Sequence, residues 1–272
     1  MRPTKVYLLD CGTMSLDRTY MFLDAGLTGP CRFPVYGVLI DHADGKFLFD
    51  TGFDLAHVGK TVGWTEPMQS ASQTIPAQLE LAGFRAEEIS HVINSHYHLD
   101  HCGGNRHCKH ATTVCHACEL ETLRAPPPKE EIAYSEISFA PGLRAQAKPA
   151  APAAEVTGAA TDIFTPRFET LKGDQEIAKG VFLFETLGHT AGHYSLMVKL
   201  QNRRPMLFTA DACYSQQNLD LMCIQAGNHD PAEALRSLQR LKDLAEKHDA
   251  EMFFSHDPQS WPAYLRAPGF YS

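Results

Sequence analysis

Four side chains able to bind a metal fall within six residues: His96, His98, Asp100 and His101, in the run Asn94-Ser95-His96-Tyr97-His98-Leu99-Asp100-His101. The spacing restricts what the chain can do locally. Along an extended segment successive side chains alternate, so His96 and His98 project the same way and Tyr97 the other. Asp100 and His101 then fall where the chain turns into Gly103-Gly104. Two ligand pairs displaced along one turn suit two adjacent metals better than one. A closed structural zinc site takes four ligands, often thiolates. Imidazole and carboxylate fit Zn(II), Fe(II), Mn(II) or Co(II) with open positions.

Three more candidate ligands follow strand-like runs. His189 comes after Val181–Leu187, Asp211 after Met206–Ala210 and His256 after Glu251–Ser255. Layered α/β sheets place their active sites at such C-terminal strand ends. The other strand candidates are Lys5–Asp10, Val35–Asp41, Lys46–Asp50, His91–Ser95, Thr112–His116 and Tyr194–Leu200, rich in β-branched and aromatic residues. One helix is expected over about Pro76 to Ala82, ahead of Gly83. A second starts at Asp230 as N-cap with Pro231 first and Glu233 completing a capping box, and Leu235, Leu238, Leu241, Leu244 and Ala245 follow at helical spacing. Strands alternating with helices point to an α/β layered fold.

Composition narrows the function. With 32 acidic against 24 basic residues and a formal charge of −8, the chain is poorly suited to nucleic acid or an anionic membrane. No apolar run approaches the ~20 residues that span a bilayer. The short apolar stretch Val6–Leu9 is no signal-peptide core, so a cytoplasmic protein with reduced thiols is expected. The chain is expected to form one domain over 1–272, with an Ala/Pro-rich insertion at about 125–160 acting as a surface loop or a lid. Cys115-His116-Ala117-Cys118 has the spacing of half a zinc knuckle, but its partner pair is missing. His193 reads as a core or supporting histidine. Asp50-Thr51-Gly52 looks like an aspartic-protease triplet, but that chemistry needs two carboxylates sharing a proton, and the chain has one copy.

The seven candidate ligands, with Phe47-Leu48-Phe49-Asp50-Thr51-Gly52, resemble the metallo-β-lactamase superfamily. The resemblance implies a four-layer αβ/βα sandwich with a metal site at the sheet edge. It implies His96, His98 and His189 on one ion, Asp100, His101 and His256 on the other, Asp211 bridging them, and Asp50 bracing the metal loop. The cofactors would be two divalent ions, zinc foremost. Asp211-Ala212-Cys213-Tyr214 resembles the N-acyl-homoserine lactone lactonases, where a Tyr three residues after the bridging Asp lies beside the substrate carbonyl.

Runs beyond the ligands are similar to the 4-pyridoxolactonase-like branch. They include Lys5–Asp10, Arg32-Phe33-Pro34-Val35-Tyr36, Gln73-Thr74-Ile75-Pro76, His101–Asn105, Gly192–Leu196 and Phe270-Tyr271. The resemblance implies a dinuclear hydrolase that opens a γ-lactone with a metal-bridging hydroxide. Asp100 or Asp211 would move the proton and Tyr214 would donate to the oxyanion. The substrate would be 4-pyridoxolactone or an N-acyl homoserine lactone. Phe33, Tyr36, Phe139 and Phe164 are candidate pocket walls, and a homodimer is compatible. A glyoxalase-II-type thioesterase shares the ligands but adds a helical C-terminal extension, whereas this chain ends at Ser272. A non-catalytic metal-binding module is the rival from outside enzymology.

Overall fold

Alternation along the strands decides the layering. In β1 (Lys5–Asp17), Val6 and Leu8 face one way, Tyr7 and Leu9 the other, and all four are buried. A sheet that is apolar on both faces has to be covered on both. The computed structural model of the chain describes residues 3–134 and 166–272 and meets this demand with four layers.

The first sheet has the order β1, β2 (Pro30–His42), β3 (Gly45–Phe49), β4 (His91–Ile93), β5 (Thr112–His116), β6 (Arg167–Leu171). Its first three strands pair antiparallel and its last four parallel. The second sheet contains β7 (Gln175–Ala178), β8 (Val181–Glu185), β9 (Tyr194–Val198), β10 (Met206–Phe208) and β11 (Glu251–Phe253), antiparallel except for the β10–β11 pair. The helices are α1 (Arg18–Met21), α2 (Leu55–Thr61), α3 (Ile75–Leu81), α4 (Leu99–Cys102), α5 (Ala117–Arg124), α6 (Gln216–Leu221) and α7 (Pro231–His248).

Between the sheets, Val6, Leu8, Ile40, Phe47, Phe49 and Ile93 meet Val181, Leu183, Leu196, Val198, Phe208 and Phe253. On the outer face of the first sheet, Val58 of α2 and Ile75 and Leu79 of α3 cover Tyr7, Leu9, Leu39 and Leu48. On the outer face of the second, Leu238, Leu241 and Leu244 of α7 cover Phe184, Met197 and Leu207. The result is the αβ/βα sandwich expected from the sequence.

All nine expected strands form, with shifted ends. β1 runs on to Asp17 through a register shift between Asp10 and Thr13. β4 stops at Ile93: Asn94 N still donates to Val114 O at 3.0 Å, but Ser95 N turns to the Asp50 carboxylate. β6 and β7 escaped the reading because their exposed positions break any apolar run. The first expected helix is Ile75–Leu81, and the second is α7, where the Asp230 carboxylate accepts from Glu233 N at 3.0 Å. Of the expected insertion, Ala125–Tyr134 packs back on the metal loop: Leu99 N donates to Ala133 O at 3.0 Å and Tyr134 is buried. The remainder, 135–160, lies outside the described residues, as do Phe139 and Phe164.

Leu241 is fully buried between α7 and the second sheet. Leu241→Ala should therefore lower unfolding free energy by about 2–5 kcal/mol, read as a fall in the urea midpoint at unchanged m-value.

Candidate metal centre

The C-terminal ends of β3, β4, β8, β10 and β11 converge on one edge of the sandwich. After them come Asp50, the His96–His101 run, His189, Asp211 and His256. The backbone there departs from ordinary geometry. Asp50 has φ 57° and Ala210, just before Asp211, has φ 43°. Left-handed backbone at non-glycine residues costs roughly 1–2 kcal/mol each and collects where function demands a side-chain direction. Before His189, Gly188 takes φ 113°, and a Cβ there would lie 2.1 Å from Ala234 N. Only glycine lets this loop pass under α7.

The structure brings all seven predicted ligands together. Donor atoms of His96, His98 and His189 lie within 4.8 Å of one another, as do those of Asp100, His101 and His256. His189 Nε2 is 3.0 Å from His98 Nδ1. Asp211 lies between the groups: Oδ2 is 3.4 Å from His189 Nε2 and 3.8 Å from His96 Nε2. Its Oδ1 is 3.2 Å from His101 Nε2 and 3.1 Å from His256 Nε2. Donors around one zinc ion with ~2.0–2.1 Å bonds stand roughly 3.3 Å apart, so these separations fit two ions sharing Asp211.

The proton on three of the imidazoles is set from behind. Asp50 Oδ1 accepts from Ser95 N at 2.8 Å, and Oδ2 accepts from Ser95 Oγ at 2.7 Å and from His101 Nδ1 at 2.8 Å. Because Ser95 Oγ spends its proton on Asp50, it accepts from His96 Nδ1 at 2.9 Å. His256 Nδ1 donates to Pro34 O at 2.9 Å. His189 Nδ1 meets partners of opposite kind, the acceptor Asn228 Oδ1 at 3.3 Å and the donor Gln225 Nε2 at 2.7 Å, the latter also donating to Asp211 O. Behind His96, His101 and His256 the acceptor holds the proton on Nδ1 and leaves the Nε2 lone pair turned inward, the tautomer a metal requires. His96 Nε2, His101 Nε2 and Asp211 Oδ1 are buried and have no hydrogen-bond partner. Unpaired buried polar atoms are costly, and a cation is the partner this donor set fits.

Charge follows burial and neighbours. Burial pushes His98 and His189 down to about 3, and holds His96 well below the ordinary imidazole range. These three are neutral at physiological pH. At His101 burial acts the same way but is outweighed by Asp211, Asp100 and Asp50, so its pKa rises. Burial works against the Asp211 carboxylate, yet His101 and His256 hold its pKa well below the usual range.

Tyr214 is buried with its ring 4.8 Å from that of His256 and 6.1 Å from that of His189. Burial and the Asp211 charge raise its phenol well above 10, so the proton stays on it at neutral pH. Phe33 packs edge-on to His256 at 4.7 Å. Tyr36 stacks on Trp261 at 5.1 Å, its hydroxyl donates to Phe254 O, and it lines a small cavity with Asp50, His101 and His256. The strand pleat places Phe33 with the outer cluster and Tyr36 against the one between the sheets. His193 supports Asp211, its Nε2 accepting from Asp211 N at 3.1 Å. All eight cysteines are unpaired.

Several residues escaped the sequence reading. Gln225 and Asn228 come from the loop after α6, which carries no motif, and Ser95 has no ligand chemistry of its own to mark it. Tyr20 of α1 stands near the site, where Asp100 and Asp211 join burial in raising its pKa.

The pattern that defines the Metallo-beta-lactamase superfamily matches residues 32–256. The chain is 28% identical over 280 residues to the N-acyl homoserine lactonase AttM of Rhizobium radiobacter, covering 100% of both chains. It is 27% identical over 267 residues to the N-acyl homoserine lactonase AiiA of Bacillus thuringiensis subsp. kurstaki, covering 94% of each. A solved quorum-quenching N-acyl homoserine lactone lactonase superposes with TM-score 0.81 at 25% identity, over 100% of this chain and 99% of the other.

Asp50→Asn sets an amide NH2 against one of the three donors that Asp50 now accepts. We expect metal binding about 10–100-fold weaker, measured by competition with a chromogenic chelator. Unchanged affinity would remove Asp50 from the support of the site.

Proposed function

This chain belongs to the metallo-beta-lactamase superfamily, and on that premise we propose that it is a metal-dependent hydrolase that opens γ-lactones, with N-acyl homoserine lactones as substrates. The observation that carries the reading is Asp211 shared between two groups of inward-facing donors, with a protonated Tyr214 beside both. The relatives named above supply the substrate class.

His96, His98 and His189 would hold one divalent ion, and Asp100, His101 and His256 the second, with Asp211 touching both. Zinc fits the donor set, as do Mn(II) and Co(II). When bound, such ions supply Lewis acidity for a carbonyl and bring the pKa of water near neutrality.

The chain's own residues do the rest. The Tyr214 phenol donates toward the oxygen that becomes negative as the carbonyl carbon turns tetrahedral, a contribution worth roughly 3 kcal/mol elsewhere. Asp100, only partly buried, faces His101 and His256 and can carry a proton through Oδ2 to the departing ring oxygen. Phe33, buried against His256, closes that side to water.

4-Pyridoxolactone is the second reading, resting on runs outside the ligand set. In the structure these runs make scaffold contacts: Pro34 O holds His256, Gln73 bonds Asp10, and Asn105 bonds Asn94 and Thr51. They speak for a close relation rather than for the ring that is opened.

Ring opening of short- and long-chain N-acyl homoserine lactones and of 4-pyridoxolactone, assayed side by side on metal-loaded protein, separates the two. Faster turnover of 4-pyridoxolactone would replace the acyl-homoserine assignment, and no turnover of any of the three would sink the lactonase reading. Asp211→Asn and His98→Ala should abolish activity. Tyr214→Phe should lower kcat by roughly 10²-fold with a smaller change in KM. Unchanged kcat in that variant would take the phenol out of the mechanism.

A further inference from the structure

Glu119, in the first turn of α5, is fully buried, and nothing in the reaction above uses it. Its partners are neutral donors. Oε1 accepts from Tyr97 N at 2.8 Å and Oε2 from Gly192 N at 3.1 Å. The hydroxyls of Tyr134 and Thr190 face the same carboxylate and each other. Burial raises the carboxyl to about 7, with the surrounding donors pulling it back toward the charged form. A carboxylate so placed is expensive unless its bonds are kept.

The donors are distributed in one pattern. Tyr97 lies between His96 and His98, Thr190 directly follows His189 and Gly192 comes three residues after it. Tyr134 sets its ring edge-on to His98 at 5.1 Å. Gly192 approaches Glu119 so closely that a Cβ would lie 2.5 Å from Glu119 N. Four donors on one carboxylate thus flank all three imidazoles of one group, two from the first sheet and one from the second. The other group has separate supports, Asp50 behind His101 and Pro34 O behind His256.

We propose that Glu119 is the positioning residue of the His96/His98/His189 group, tying the loop after β4 to the loop after β8 so that the three lone pairs converge before any metal arrives. The proposal rests on the metal reading of the site and is independent of which lactone is opened.

The test uses Glu119→Gln, which keeps the shape but replaces one acceptor oxygen by an NH2, leaving one backbone N–H facing a donor. It is introduced into two backgrounds, His256→Ala, which keeps the three-imidazole group whole, and His98→Ala, which keeps the other. Each stripped protein is titrated with Co(II), with affinity read by calorimetry and ligand field by visible absorption. Glu119→Gln should weaken Co(II) at least tenfold and alter its spectrum in the His256→Ala background, and change affinity less than twofold in the His98→Ala background. Equal loss in both would reduce Glu119 to general scaffolding, and no loss in either would overturn the proposal.

If the unsubstituted protein itself binds no Co(II), the metal reading falls and the proposal with it. Amide exchange in the stripped, unsubstituted protein gives a measurement free of folding defects. Tyr97 and Gly192 N–H should exchange far more slowly than the amides of neighbouring exposed loops, and exchange as fast as those loops would overturn the clamp.

Discussion

The structure depends on where three imidazole protons go. A nitrogen can point its lone pair into a dry, shared space only if the other ring nitrogen has an acceptor behind it. His101 has Asp50, His96 has Ser95 and His256 has Pro34 O. One carboxylate, Asp50, fixes two of these rings, one directly and one through Ser95 Oγ. The left-handed backbone at Asp50 and Ala210 is the local cost of directing these groups.

The sandwich makes that arrangement possible by supplying rigid strand ends from both sheets. The interlocked side chains between the sheets fix the two halves against each other. At the site edge the halves are also joined by hydrogen bonds: Tyr194 N donates to Ser95 O at 2.9 Å, and Glu119 links Tyr97 to Gly192. Donors separated by most of the chain are thereby held within bonding distance of common points.

The sequence makes the ligands legible because their chemistry is concentrated: four donors in six residues, then three at ends of apolar runs. It makes the layers legible because β-branched residues alternate in short blocks. It hides Gln225 and Asn228, whose roles arise from where the loop after α6 lands and not from any local pattern. Glu119 is hidden for another reason. In sequence it is an ordinary acidic residue in the first turn of a helix, a place where carboxylates are common, and only the fold shows it buried.

The eight cysteines are all unpaired, so no covalent bond closes any loop of this chain. An ion held between His98 and His189 would join residues 91 apart in sequence. Such a tether removes freedom from the unfolded chain much as a disulfide of similar span does. Unlike a disulfide, it would be indifferent to reductant and cut by a chelator.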